Sequence, residues 1–391
     1  MTPSARTQAA IELLDRIVAA AREGGAAADT VASRYFAERR YAGSKDRRAV
    51  RELAYRAVRL CGEMPAGGRE AMLAVATRDP AVAATFDGGP HAPAPIGEGE
   101  RAAEAGVAPA WLQGRLRASG VGEEEWPALA ERAPLDIRVN RLRAEPAEVA
   151  ARLPGAAPVA GLPNALRLPA GTDVSALAGL VEVQDAGSQA VTLAVGAEPG
   201  MRVVDLCAGG GGKTLALAAA MRNEGRILAT DTDRGRLRNL PPRAEAAGVS
   251  IAEARLLDPG REPEMLADWR GAADAVLVDA PCSGTGTWRR NPEARWRLNP
   301  ARLARLAETQ ARLLRVAAAL VRPGGALAYV VCSLLDEEGR GRVDAFLADE
   351  PEWRAEALRL PFGRPHGPGT RLTPAADGTD GFFVARLVRP C

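Results

Sequence analysis

Near the start of the chain, apolar residues recur at intervals of three and four. In "SARTQAAIELLDRIVAAAREG", Ile11, Leu14, Ile17, Val18 and Ala21 share one face, which predicts an amphipathic helix rather than a targeting signal. A second helix is predicted through "KDRRAVRELAYRAVRLCGE", and residues 5–61 read as all-helical. "FDGGPHAPAPIGEGE" is rich in Gly and Pro and predicts a connecting loop, after which "APAWLQGRLRASG" resumes a short helix. The pattern changes at "APLDIRVNRLRAEPAEVAARL": alternating apolar positions, then a helix with Pro146 and Glu148 in its first turn. Together with a short strand near "LVEVQD" this predicts a small α+β module.

From Gln189 onward, strand patterns alternate with helical ones. "MRVVDLCA", "GRILATDTD", "SIAEARLLD", "ADAVLVDAP" and "GGALAYVVCS" are the predicted strands. Such alternation predicts an α/β fold with a doubly wound, mostly parallel sheet, in which ligands bind beyond the carboxyl ends of the strands. Four consecutive predicted strands end in an acid, at Asp205, Asp231, Asp258 and Asp279, as if sharing a ligand edge. "GTDGFFVARLVRP" predicts a last, antiparallel strand at the sheet edge. The expected domains are 1–125, 126–186 and 187–391.

Composition narrows the picture in a few respects. The chain is 47% hydrophobic and 26% charged, as ordinary globular domains are. No stretch approaches a membrane span. Five widely spaced cysteines (61, 207, 282, 332 and 391) without a C-x-x-C pair, and only two histidines, argue against a zinc site and for free thiols in a cytoplasmic protein. Net charge is only +2, yet Arg34–Arg59 holds nine basic and three acidic residues, and Trp288–Arg315 holds eight and two. Each run reads equally as a phosphate-binding surface or as a solvated helix face.

The candidate chemistry begins with the loop "DLCAGGGGKT", which follows a strand and opens a helix. A P-loop would need glycine where Cys207 stands, and a dinucleotide fingerprint starting at Gly209 would need glycine at Thr214. Neither phosphate motif is complete. A third option, and the expected cofactor, is S-adenosylmethionine, which needs close backbone approach rather than a triphosphate cradle, with Asp231 placed for the ribose hydroxyls and Asp258 near the adenine; a nucleotide-binding sheet of some other kind is the alternative.

A second constellation is "VDAPCSGTGTWRRNP", with Asp279 and Cys282 on one loop, and Cys332 ending the next predicted strand. Carbon five of cytosine is too electron-poor to attack a methyl sulfonium. Addition of a thiolate to carbon six makes an enamine of the ring, and an acid at ring nitrogen three favours that addition. After methyl transfer the carbon-five proton and the thiol must both leave. Two thiols and an acid at one sheet edge suit this chemistry, although the residues alone do not say which thiol attacks.

"DAPCSGTGTWRRNPE", "DLCAGGGGKT", "VCSLLDEEG" and "GTDGFFVARL", with "VEVQDAGSQ" and "PLDIRVNRLRA" before them, resemble the Nop/Sun family of RNA (cytosine-5)-methyltransferases, in its bacterial RsmB (Sun/Fmu) branch. "YAGSKDRRAVRELAYRAVR" more weakly resembles the NusB-like helical domain of that branch. The resemblance implies a Rossmann-like class I methyltransferase domain, preceded by a NusB-like RNA-binding domain and a small RRM-like module. It implies Cys332 as the nucleophile and Cys282 as the thiol that assists product release. It also implies that Cys207, Ala208, Gly209, Gly210, Gly211, Gly212, Lys213, Asp231, Asp258 and Asp279 surround the cofactor, with Asp279 also facing the base, and that Cys207 acts mainly through its backbone.

Two departures are notable. Gly209 and Gly210 stand where the family has Ala-Pro, which predicts a more flexible loop and weaker cofactor binding. Val330 and Val331 stand where Ser-Thr is common, removing a hydroxyl near the nucleophile.

Arg289, Arg290, Arg295 and Arg297, interleaved with Trp288 and Trp296, are expected to grip RNA, and Arg47, Arg48 and Arg51 to extend that surface. Both tryptophans read equally as core residues. The expected partner is RNA, ribosomal first and transfer RNA second, with no membrane, no metal and a monomeric protein. Two alternatives stand beside this reading. One is an RNA-binding assembly factor that has lost catalysis, suggested by the altered glycine loop; the other is a methyltransferase acting on protein or small molecules.

Overall fold

A computed structural model describes residues 1–391, and the chain divides into two units. The first joins Met1–Arg132 to the distant segment Thr287–Pro300; the second joins Ala133–Gly286 to Ala301–Cys391.

The first unit is helical, with α1 (Pro3–Arg22), α2 (Ala28–Glu38), α3 (Ser44–Leu60) and α4 (Gly68–Ala76). The Thr2 hydroxyl caps α1 by accepting from the Ala5 amide, and Pro3 occupies the first helical position, where no amide is needed. Leu13, Leu14 and Ile17 of α1 pack with Tyr35 and Phe36 of α2, Val58 of α3 and Met72 of α4 in one core. The approach of α4 to α1 explains Gly68, since a Cβ there would lie 2.1 Å from the Ile11 carbonyl oxygen.

Residues 287–300 complete this core from far along the chain. Trp296, 6% exposed, is buried in the same cluster. Arg295 is fully buried and donates through Nη2 to the carbonyls of Val58 (2.6 Å), Arg59 (3.0 Å) and Cys61 (2.8 Å) at the end of α3. Arg297 donates to the carbonyls of Ala20 (3.3 Å), Gly25 (2.7 Å) and Ala26 (2.6 Å) around the end of α1. Buried Glu293 accepts from the Ala28 amide at 2.9 Å, at the start of α2, whose own cap residue Ala27 has no side-chain acceptor. One segment thus supplies cations to two helix C-termini and an anion to an N-terminus, as the orphan backbone groups and helix dipoles require.

The second unit holds two sheets. The smaller, ordered β2-β3-β1-β4, is antiparallel and comprises β1 (Leu135–Val139), β2 (Ala157–Val159), β3 (Leu162–Leu168) and β4 (Val181–Val183). The helix Pro146–Arg152 packs Val149 against Ile137, Val139 and Leu166.

The larger sheet contains the five expected strands as β5 (Arg202–Asp205), β6 (Arg226–Asp231), β7 (Ala252–Leu256), β8 (Ala273–Asp279) and β9 (Val321–Val331). These five are mutually parallel. β10 (Arg354–Glu356), β11 (Arg364–His366), β12 (Gly369–Leu372) and β13 (Phe382–Val388) follow, and the order is β11-β12-β13-β9-β8-β5-β6-β7 with β10 paired to β13. Alternate residues enter separate cores on the two faces: Val203, Ile227 and Leu277 on one, Val204, Leu228 and Val276 on the other. Burial on both faces is why β6, β8 and β9 read as continuous apolar runs. β13 is antiparallel to β9 as expected. It is not the edge, however, because β12 and β11 lie beyond it; both are too short to show an alternating pattern. Strand order turns at the neighbouring β5 and β8, which places the switch point, and the expected ligand crevice, at their carboxyl ends.

Candidate active site

The crevice is a cleft of about 680 Å³ at that switch point. Asp231, Asp279, Cys282, Cys332 and the backbone of Cys207–Gly210 line it together. Asp231 and Asp279 are the last residues of β6 and β8, and the others come from the turns after β5, β8 and β9.

The glycine loop enters the cleft after β5 and runs into the helix Gly212–Ala220. Gly211 has φ +87°, and a Cβ there would meet Leu240 at 2.4 Å, so this turn requires glycine. The Gly209 amide donates to Asp231 Oδ2 at 2.8 Å, which ties the loop to the end of β6. Two arginines hold the loop carbonyls. Arg243 donates to the Gly210 carbonyl and to Glu182, and Arg138, itself buried, donates to Gln184 Oε1 at 2.8 Å and to the Gly212 carbonyl at 3.3 Å. The flexibility expected of Gly209 and Gly210 is therefore opposed by side chains from outside the motif.

Lys213 turns back from the first turn of this helix, and its Nζ donates to Asp279 Oδ2 at 2.6 Å. Burial lowers the Lys213 pKa, but Asp279, with help from Cys332 and Asp205, more than offsets this and keeps the ammonium charged. Asp205 is fully buried; its Oδ2 accepts from the Thr214 hydroxyl at 2.7 Å, and its Oδ1 has no partner. Burial pushes its pKa up to about 7, with the charges of Asp279 and Asp231 adding to the rise.

The two sulfurs, Cys282 Sγ and Cys332 Sγ, lie 3.3 Å apart. The hydrogen bond with Cys332 and then burial push the Cys282 pKa well up, and Glu338 adds to the shift, so Cys282 keeps its proton. Cys207 is likewise pushed well up, by burial and then by Asp205, and stays an inert thiol. Burial also raises Cys61, to about 11.

Two sets of expected site residues stand elsewhere. Asp258 lies two residues beyond the end of β7, with its side chain 61% exposed and 3.8 Å from Arg261, and it does not line the cleft. Leu257 and the buried carboxylate of Glu262, which pairs with Arg312, occupy that wall instead. Arg295 cannot grip RNA as expected, because it is fully buried on the carbonyls at the end of α3; Arg297 is turned to carbonyls in the same way. Trp288 and Trp296 are core residues, 0% and 6% exposed. Arg289 is buried and Arg290 is partly buried. Of the N-terminal arginines, Arg48 and Arg51 are exposed, while Arg47 donates to the Ala42 carbonyl at 2.7 Å.

Sequence reading did not single out Arg138, Glu182, Arg243, Glu262, Gln310 or Glu338. Arg138, Glu182 and Glu338 lay inside quoted motifs, Glu338 six residues after Cys332, but none of these motifs showed what the side chain holds. The others lie far in sequence from the loops they hold. No group of three His, Cys, Asp or Glu side chains is arranged to hold a metal, and no helix is long and apolar enough to cross a membrane.

Comparison with known proteins places this geometry. The chain is 35% identical over 318 residues to ribosomal RNA small subunit methyltransferase B of Sodalis glossinidius, covering 76% of this chain and 69% of the relative. It is 36% identical over 272 residues to a probable ribosomal RNA small subunit methyltransferase B of Synechocystis, covering 65% of this chain and 59% of that protein. Among solved structures, PH0851 superposes with a TM-score of 0.76 at 25% identity over 99% of both chains. A methyltransferase homologue protein from Pyrococcus horikoshii gives 0.60 at 25% identity over 72% of this chain and 99% of the other. The family model for 16S rRNA methyltransferase RsmB/F matches residues 192–388, the stretch that holds both sulfurs, Asp279 and the glycine loop, and the chain belongs to that family.

Proposed function

We propose that the protein is an S-adenosylmethionine-dependent methyltransferase acting on carbon five of a cytosine in ribosomal RNA, through a covalent cysteine–cytosine adduct. The observation that carries this reading is the pair of sulfurs at 3.3 Å beside the Lys213–Asp279 ion pair. Neither transfer to oxygen or nitrogen nor a purely RNA-binding role calls for two thiols at one sheet edge.

The lining fits the cofactor. Asp231, on the cleft wall, has lone pairs left for ribose hydroxyls. Gly209, Gly210 and the start of the following helix supply close backbone approach. When bound, S-adenosylmethionine supplies an electrophilic methyl group.

Cys332 attacks carbon six of the cytosine as a thiolate, and the electron pair moves through the ring toward nitrogen three, where Asp279 carries the hydrogen bond or proton. Lys213 holds Asp279 in place and faces Cys332 with a positive charge, whereas Glu338 faces Cys282 with a negative one. With Cys282 held as a thiol, Cys332 is left as the nucleophile, in line with the resemblance. Carbon five, once enriched in electrons, takes the methyl group. Its proton then passes to a water molecule, the electron pair re-forms the carbon-five–carbon-six double bond, and the Cys332–carbon-six bond breaks with Cys332 leaving as the thiolate. Cys282, 3.3 Å from the departing sulfur, assists this last step.

Labelled S-adenosylmethionine, incubated with the protein and unmodified ribosomal RNA, should label a cytosine at carbon five; RNA binding without transfer would reject the reading. Cys332→Ala should lower turnover by at least ~10³-fold. Cys282→Ala should instead accumulate a protein–RNA adduct that survives denaturing electrophoresis. An adduct in the Cys332 variant would reverse the two roles.

A further inference from the structure

The parallel ladder between β8 and β9 ends just short of the reacting groups, with Asp279 opposite Val330 and the Ala280 amide donating to the Val330 carbonyl at 2.9 Å. Cys282 and Cys332 both lie beyond it, on loops that the sheet itself does not hold together. Yet their sulfurs are at contact distance. Something other than the ladder must set that spacing.

Glu338 is fully buried between the two loops, and its carboxylate takes four hydrogen bonds. Oε1 accepts from the Ser283 amide at 2.8 Å and from Gln310 Nε2 at 3.0 Å. Oε2 accepts from the Ser333 hydroxyl at 2.6 Å and from the Ser283 hydroxyl. Ser283 follows Cys282, and Ser333 follows Cys332, so a single carboxylate grips the residue next to each sulfur. Gln310 also donates to the Pro281 carbonyl at 2.9 Å, on the other side of Cys282, and the Tyr329 hydroxyl fixes the Glu338 carbonyl at 2.6 Å.

We propose that Glu338 is a positioning residue that holds the two sulfurs at reacting distance, gripping the Cys282 loop through Ser283 and the Cys332 loop through Ser333. The role rests on the methyltransferase reading above, but the spacing itself can be measured without it. A carboxylate offers about four acceptor sites and no donor, and here all four are used. Glutamine in its place is neutral and presents an amide donor, so the Ser283 and Ser333 hydroxyls must turn round to accept and the charge-assisted grip on both loops is lost. The loops then rely on the bonds that remain between them, from the Gly286 amide to the Cys332 carbonyl at 3.0 Å and from the Leu334 amide to the Thr285 hydroxyl at 2.8 Å. Misplacement by about 1 Å costs roughly 10²-fold in a reaction that depends on alignment.

Diamide reads the spacing directly, since two close thiols pass two hydrogens to its nitrogen–nitrogen double bond and form a disulfide. In a Cys391→Ser background, without cofactor or RNA, the parent protein should cross-link Cys282 to Cys332. Glu338→Gln should slow this by at least tenfold, and Ser333→Ala, which removes one arm only, by a smaller factor. Turnover should fall ten- to a hundredfold in Glu338→Gln, with the KM values for RNA and cofactor within about twofold. A folded Glu338→Gln protein that cross-links at the parental rate overturns the proposal, as does a lower melting temperature with cross-linking unchanged. If the parent methylates no cytosine yet cross-linking still depends on Glu338, the spacing role stands and the reaction assignment falls.

Discussion

At the scale of single residues, the cleft is organised by charges that burial makes expensive. Asp205 shows the consequence most directly. Its carboxyl is pushed up to about 7, chiefly by burial, whereas an unfolded aspartate titrates near its ordinary 3.8. Between those values the folded protein holds a proton that the unfolded chain has lost. Stability from this group is therefore greatest near pH 4, falls as pH rises toward 7, and levels off above it. The slope is at most about 1.4 kcal/mol per pH unit. Urea unfolding from pH 5 to 8 should show that decline in the parent and a flatter profile in Asp205→Asn. Identical profiles would mean that Asp205 does not titrate in this window. The motif made Asp205 visible as a strand-end acid. Its unpartnered oxygen and raised pKa were not visible, because both depend on burial in the folded sheet, with Asp279 and Asp231 converging from other strands.

At the scale of elements, the glycine loop is the case where reading the motif alone misleads. Four consecutive glycines after Ala208 predict a loosely held cofactor loop. In the structure, Arg243 from the helix Leu240–Ala247 and Arg138 from β1 anchor the Gly210 and Gly212 carbonyls. Restraint on the loop is supplied by partners 33 and 74 residues away in sequence. Arg243→Ala should therefore raise the dissociation constant for S-adenosylmethionine about tenfold, equivalent to about 1.4 kcal/mol and typical of a lost charge-assisted hydrogen bond. Arg243→Lys should recover part of it. Equilibrium dialysis with labelled cofactor measures both, and unchanged binding in the alanine variant would show that the loop needs no external hold. β6, β8 and β9 were legible because burial on both faces writes continuous apolar runs, and the shorter β5 and the half-exposed β7 from their place in the alternation with helices. β2, β10, β11 and β12 were not, being three or four residues long and mostly on the flank of a sheet. Reading β13 as an edge followed from missing them.

At the scale of the whole molecule, the arginine-rich tip after the Pro-Cys loop has a structural use that its charge disguised. Arg295, Arg297 and Glu293 satisfy the ends of α3, α1 and α2, and Trp296 fills the core among them. A basic run looks the same in sequence whether its guanidiniums meet phosphates or helix carbonyls; only the neighbours differ. Arg295→Met should destabilise the helical unit by about 2–4 kcal/mol, since carbonyls at the end of α3 lose a buried charged donor. Hydrogen exchange should show the loss in α1–α4 and not in β5–β9. A fragment of residues 1–132 should unfold with low cooperativity, and added peptide 287–300 should sharpen its transition. A fragment as stable alone as with the peptide would contradict this account.

Synthesis runs from the N-terminus, and domains made first generally fold first. The helical unit cannot follow that order to completion. When residue 132 leaves the ribosome, the acceptors at the ends of α3 and α1 and the site for Trp296 are still empty, and the segment that fills them has yet to be translated. Of the two units, the one made earlier is thus obliged to wait, and a pause or truncation before residue 300 should leave it exposed to chaperones and proteases.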